Sequence, residues 1–505
     1  MLLLFLLFLI AVLALIFLTL PNRSKHKKLH FPPGPKGLPL IGNIHQFDPS
    51  APHLYFSRLA KTYGPILSLK FGCRSVVVVQ SASTAKEVLK TQDHNFCTRP
   101  RLTGTQKLSY NGLDIAFAFC GEYFREIRKI CVVHLLSSKK VQSSDPIRRE
   151  EVSRMIQKIS SLSSASEVVN LSELLTTLSG SIICRIAFGK RYNEGIEKSR
   201  FLNLLNEIQF MFIAFFFADY FPFVGGWLDK LTGLSSRLER AFNDLDEFYN
   251  EIINDHLDPN RPKSDSEDIV DVLLRVRKER DLPFHLTLDH IKAVTMDIIS
   301  AGTDTSAAMV VWAMTELLKN PTMMKKAQDE LRTMIPNKSF IEEDDIVKLE
   351  YLKAIVKETF RLHPAAPLLL VRETLNKCTI QGYDILPKTL VFVNAWAIGR
   401  DPRLWKDPET FLPERFQESS INFRGRDFEL IPFGAGRRMC PGMPHGVANV
   451  EIALANLLYS FDWELPAGMN REDIDTDVIP GITMHKKNPL CLVAKKFSPS
   501  LPNND

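Results

Sequence analysis

The stretch that decides how this chain is built is Phe433-Gly434-Ala435-Gly436-Arg437-Arg438-Met439-Cys440-Pro441-Gly442. Glycines at 434, 436 and 442 let backbone approach a flat group closely and permit positive φ, which is expected around the cysteine. Cys440 has no neighbouring Cys or His with which to build a zinc site. It is still able to supply one axial thiolate to a haem iron. An apolar helical pattern over residues 447–458 follows, so the sulfur is expected just ahead of a helix N-terminus, an environment that stabilises thiolates. Arg438 adds a cation nearby, suited to a bidentate carboxylate contact.

Working outward, Leu288–Lys319 reads as one long apolar-periodic helix that stops before Asn320-Pro321. Ala301-Gly302-Thr303-Asp304-Thr305-Ser306 stands in its middle. A glycine followed by hydroxyl residues weakens the backbone ladder there, and threonines bond back to it. Glu358 and Arg361 sit at i and i+3 on a second helix over residues 346–362, so they share a face. On a surface such a pair contributes only about 0.3–0.5 kcal/mol. Pro413-Glu414-Arg415-Phe416 and Tyr123-Phe124-Arg125-Glu126-Ile127-Arg128-Lys129 complete the set of motifs.

Together these stretches resemble the cytochrome P-450 family, and the resemblance runs over essentially the whole chain. It implies a mainly α fold with small β-sheets, preceded by one N-terminal transmembrane helix. It implies haem b (iron protoporphyrin IX) ligated by Cys440, with Phe433, Arg438, Arg128 and Arg372 among the cofactor-binding residues. Thr305 then hydrogen-bonds bound O₂ and Asp304 helps relay protons to it, the pair being the catalytic residues. Glu358, Arg361 and Arg415 form a buried structural network. Phe124 stands where the family usually has tryptophan, so an indole donor to a propionate is missing. Phe119-Cys120 and Val371 depart from the usual pattern as well. The form is similar to plant microsomal enzymes of the A-type clan, with residues 394–402 and 478–485 resembling the branch that includes aldoxime-metabolising enzymes. The activity implied is insertion of one oxygen atom into an apolar plant secondary metabolite, with electrons from NADPH passed by a partner reductase. The cavity for that substrate is expected from residues 100–120, 294–305, 366–371 and 480–484. Two alternatives stay open. One is a haem-thiolate isomerase or dehydratase working without reductase, against which Asp304-Thr305 argues. The other is a non-catalytic membrane haem protein.

Composition bounds the rest. The 505 residues are 45% hydrophobic and 24% charged, a globular balance. A net charge of +5, without a basic stripe interleaved with aromatics, gives no reason to expect nucleic acid. Residues 1–20 carry no charged side chain and are long enough to span a hydrocarbon core. Arg23, Lys25, Lys27 and Lys28 follow, on the side opposite to that of a cleaved signal peptide. The positive-inside rule then leaves the remaining chain cytosolic, on a single-pass anchor in the endoplasmic-reticulum membrane. Residues 21–39 read as a basic collar and a stiff proline-rich hinge, and 40–505 as the catalytic domain. None of the eight cysteines forms a C-x-x-C pair, and reduced thiols are expected. A hairpin is expected over residues 63–80 and a second small sheet over 371–393. The apolar run Phe210-Met211-Phe212-Ile213-Ala214-Phe215-Phe216-Phe217 is either buried core or a surface that dips into a membrane interface.

Overall fold

The computed structural model describes residues 29–192, 195–262, 267–279 and 282–498. The anchor expected over residues 1–20 and the collar up to Lys28 lie outside them. Helices dominate, and the long helix Leu288–Lys319 runs through the core with most of its residues buried. It packs against Leu171–Phe188 and Met443–Ser460, both largely buried on their apolar faces. Apolarity on all sides is the mark of a helix enclosed by others rather than one facing water.

The expected hairpin is present as antiparallel strands Ile66–Phe71 and Arg74–Val79. The second small sheet is present only in part. Leu390–Val393 pairs parallel to Arg74–Val79, and Arg372–Glu373 closes the edge, giving one four-stranded sheet. Cys378–Ile380 and Tyr383–Ile385 form only a small hairpin beside it. Strands of two to four residues carry too little periodicity to reveal their partners, so the fusion is decided by the burial of Val76 to Val79 and Val391.

The hinge lies along the first strand: Ser68 donates from its amide to Pro33 O (2.8 Å) and from its hydroxyl to Pro32 O (2.7 Å). A Cβ on Gly34 would fall 1.9 Å from Ser68 O, so this close approach needs glycine. The expectation of reduced thiols fails at one place. Cys97 and Cys120 form a disulfide across a sequence separation of 23. Cys120 N also donates to Thr98 Oγ1, so the loop folds back on the strand-like segment that precedes it, which spacing alone does not reveal.

Candidate active site

Cys440 is held by the loop that precedes it. Its amide donates to Phe433 O (2.9 Å), and Gly434 and Gly436 take φ of +67° and +70°. A Cβ on Gly436 would lie 2.0 Å from Leu89 O, so glycine is required for space as well as for φ. Gly442 departs from expectation. Its φ is −86°, because it caps the helix Met443–Ser460 rather than turning the loop. The amides of Gly442 and Met443 point at the sulfur. Burial raises the Cys440 thiol, and these two amides with the Arg128 guanidinium pull in the opposite direction. The thiol's accessible surface faces an internal cavity, and protein encloses it otherwise.

That cavity, about 300 Å³, has Cys440, Phe433 and Pro441 on one wall and Ala301, Gly302, Thr305 and Ser306 of the long helix on another. All four regions expected to line it contribute, through Ile115 and Ala116, Asp297 to Thr305, Ala366 to Leu370, and Ile482. The long helix stays regular through Ala301-Gly302. The Thr305 hydroxyl donates to Ala301 O (2.7 Å), the back-bond expected of it. Gly302 is explained by a helix crossing, since a Cβ there would meet Ile183 at 2.8 Å. Asp304 does not line the cavity. Its carboxylate pairs with His485 Nε2 (2.7 Å) and accepts from Gln209 Nε2 (3.4 Å).

Arginines ring one end. Arg128 donates to Met439 O (2.5 Å), and Arg372 pairs with Asp93 (3.2 Å) at the sheet edge. Arg438 was expected to suit a carboxylate, and here its guanidinium meets backbone carbonyls. It donates to Cys97 O (2.7 Å), Ile115 O (3.0 Å) and Ala118 O. Phe124 provides the ring face beneath it, 3.6 Å from the centroid, so the departure from tryptophan leaves a cation–π partner in place. Burial pulls Arg438 down to about 9.

Two further residues escaped sequence reasoning. Arg99 lines the cavity and donates to Ala116 O (2.8 Å), Leu370 O (2.6 Å) and Val371 O (2.8 Å). Asp297 accepts the amides of Ile115 (2.7 Å) and Ala116 (2.9 Å), pinning the 113–118 loop to the long helix. Burial and the Asp297 charge push Asp114 well above the usual carboxylate range, and burial raises Asp297 to about 6. No motif marks either contact, because each depends on a loop folding across a distant helix.

Among the described residues Arg99, Arg128 and Arg438 have no carboxylate within ion-pair distance. Buried cations without a counter-charge are costly. The donor set therefore fits a flat, apolar cofactor with two carboxylates at one edge and a metal that takes one thiolate, which is haem b. Glu358, Arg361 and Arg415 lie apart from the cavity as one buried network. Glu358 takes Arg361 Nε and Nη2 at 2.7 Å each and Arg415 Nε at 3.0 Å.

Residues 32–493 match the cytochrome P450 family. The chain is 48% identical over 494 residues to a 6,7,8-trihydroxycoumarin synthase of Pastinaca sativa, covering 96% of this chain and 97% of that protein. It is 47% identical over 498 residues to cytochrome P450 71B34 of Arabidopsis thaliana, covering 98% of each. A zebra fish cytochrome P450 solved with abiraterone superposes with a TM-score of 0.73 at 23% identity, covering 88% of this chain and all of that one. The motifs, the cavity and these matches agree: the chain belongs to the cytochrome P450 family of haem-thiolate monooxygenases.

Proposed function

We propose that this enzyme oxygenates a flat aromatic oxygen heterocycle of the coumarin class, with Thr305 and Asp304 handling the protons. The cavity carries this reading: apolar side chains such as Ile115, Ile298, Leu369 and Ile482 line the same cavity as Cys440 and Thr305. Relatives at 48% identity named for trihydroxycoumarin and 5-OH-xanthotoxin supply the substrate class. Bound haem supplies dioxygen activation, the thiolate pushing electron density toward O–O cleavage. The protein's part is to exclude water with these side chains, to orient the substrate, and to present a hydroxyl at Thr305 Oγ1 as proton donor. Coumarins and furanocoumarins should shift the iron spin state of the purified enzyme, and reductase with NADPH should then give a product carrying one ¹⁸O from ¹⁸O₂. A spin shift seen only with aldoximes or terpenoids would reject the coumarin class. Product formed without reductase would favour the isomerase alternative.

The reductase reading rests on exposed Arg125, Lys129 and Lys139 on and beyond the helix Glu122–Ile130, whose Arg128 approaches the Cys440 loop. Cationic faces steer encounter with acidic partners in a salt-sensitive way. Membrane association is supported by a second surface. The 210–217 run is split, with Met211 and Phe216 buried and Phe210, Ile213 and Phe215 exposed. Beyond it Phe223 is 92% and Trp227 65% exposed. Cys73 N donates to Tyr220 O, and Gly72 N donates to Ile41 O, so this tip and the segment just after the hinge meet at one hairpin turn. An anchor ahead of the hinge and an apolar tip beside it would face the same bilayer. In a cytosolic domain the sequons at Asn170 and Asn337 stay bare. A glycosidase-sensitive mass shift at either would place the domain in the lumen instead.

A further inference from the structure

We propose that His485 is the proton entry of this enzyme, reloading Asp304 from solvent. The inference rests on Thr305 and Asp304 being the proton-handling pair. Asp304 sits next to Thr305 on the long helix, yet its carboxylate points out of the cavity to His485 Nε2, 2.7 Å away. The His485 side chain is 33% exposed and that of Asp304 24%, so the pair spans the boundary between water and the helix that walls the cavity. Water reaches the imidazole, and a short hydrogen bond joins the imidazole to the acid.

A simple latch explains the pair less well. The segment is already fixed on both sides of Met484, where Trp312 Nε1 donates to Met484 O (2.7 Å) and Met484 N to Ala365 O (2.8 Å). His485 is further paired with Ile479 across the hairpin. Partly exposed ion pairs add little to such anchoring. The neighbouring cation does not compete for Asp304, because Lys486 reaches Asp475 (2.8 Å) on the opposite side of the strand. Gln209 Nε2, at 3.4 Å, is the remaining polar group on Asp304 and carries no transferable charge.

Each turnover takes O₂, two electrons and two protons, placing one oxygen in the product and releasing the other as water. In the relay, protonated His485 passes its Nε2 proton to Asp304 Oδ1 and is left as neutral imidazole with its other proton on Nδ1. The carboxyl turns toward Thr305 and gives the proton up, and a hydronium from solvent reprotonates Nε2.

The test uses the full-length holoenzyme with reductase and a substrate that shifts its spin state. His485→Gln keeps an N–H donor for Asp304 but carries no titrating proton. Its thermal midpoint and substrate spin shift should match wild type. Product formed per NADPH should fall on the order of tenfold, with peroxide released instead and a larger solvent deuterium isotope effect. Because His485 acts through Asp304, the His485→Gln/Asp304→Asn double variant should be no worse than Asp304→Asn alone. Unchanged coupling in His485→Gln overturns the proposal. So does an additive loss in the double variant, or a fall in midpoint and spin shift that parallels the fall in turnover, which would mark a latch. Absence of reductase-dependent turnover in the wild type is a different failure, because it removes the monooxygenase reading on which the relay stands.

Discussion

Glu358→Ala is expected to lower stability by about 3–5 kcal/mol, the cost of leaving buried charge without its partner. Glu358 and Arg361 have no side-chain exposure and Arg415 has 9%. Both carboxylate oxygens are in use, and Leu412 N donates to one of them at 2.8 Å. Arg361 also reaches Gly399 O, Pro408 O and Thr410 O, so the pair ties the helix Glu350–Leu362 to the meander that follows it. Truncation strands two guanidiniums and an amide together. Against a typical total of about 5–15 kcal/mol, a loss of that size is severe. Urea unfolding followed by far-UV circular dichroism reads it as a lower midpoint at unchanged slope. Arg361→Lys should fall almost as far, since an ammonium cannot reproduce the forked contact. A midpoint within about 0.5 kcal/mol of wild type, the range of ordinary surface substitutions, would mean the network is not what holds this region.

Features carried by local chemistry were legible in the sequence. The Cys440 loop announces itself because two of its glycines need positive φ and one must pass within van der Waals reach of Leu89 O. The Glu358–Arg361 pair follows from helical spacing, and the long helix from its apolar periodicity and the Asn320-Pro321 stop. Contacts set by tertiary folding were not legible. Asp297 meets the Ile115 and Ala116 amides across 181–182 residues, and His485 reaches Asp304 from a strand of only two residues. Cys97–Cys120 closes where Arg438 holds Cys97 O and Ala118 O on one guanidinium. Arg438 lines the cavity that holds Cys440, while the carbonyls it contacts were not foreseen: a buried guanidinium takes whatever carbonyls the loops bring to it. The short strands over residues 371–393 were expected to form a second small sheet. Leu390–Val393 and Arg372–Glu373 instead join the first sheet, which buries Val391 against Val77, and only Cys378–Ile380 and Tyr383–Ile385 pair apart from it.

The claim on which everything turns is that Cys440 alone holds the iron. Its sulfur faces the cavity, receives two helix-terminal amides, and lies opposite Thr305. Cys131 and Cys184, the fully buried free thiols, are raised by burial to values where a thiolate is strongly disfavoured. The direct measurement is the reduced, CO-bound absorption spectrum of wild type and Cys440→Ser. Wild type should show the strongly red-shifted Soret band of a thiolate trans to CO. The variant should lose that band completely, with reductase-supported turnover falling to background. A Cys440→Ser protein that kept the red-shifted band would make another cysteine the ligand and contradict the account.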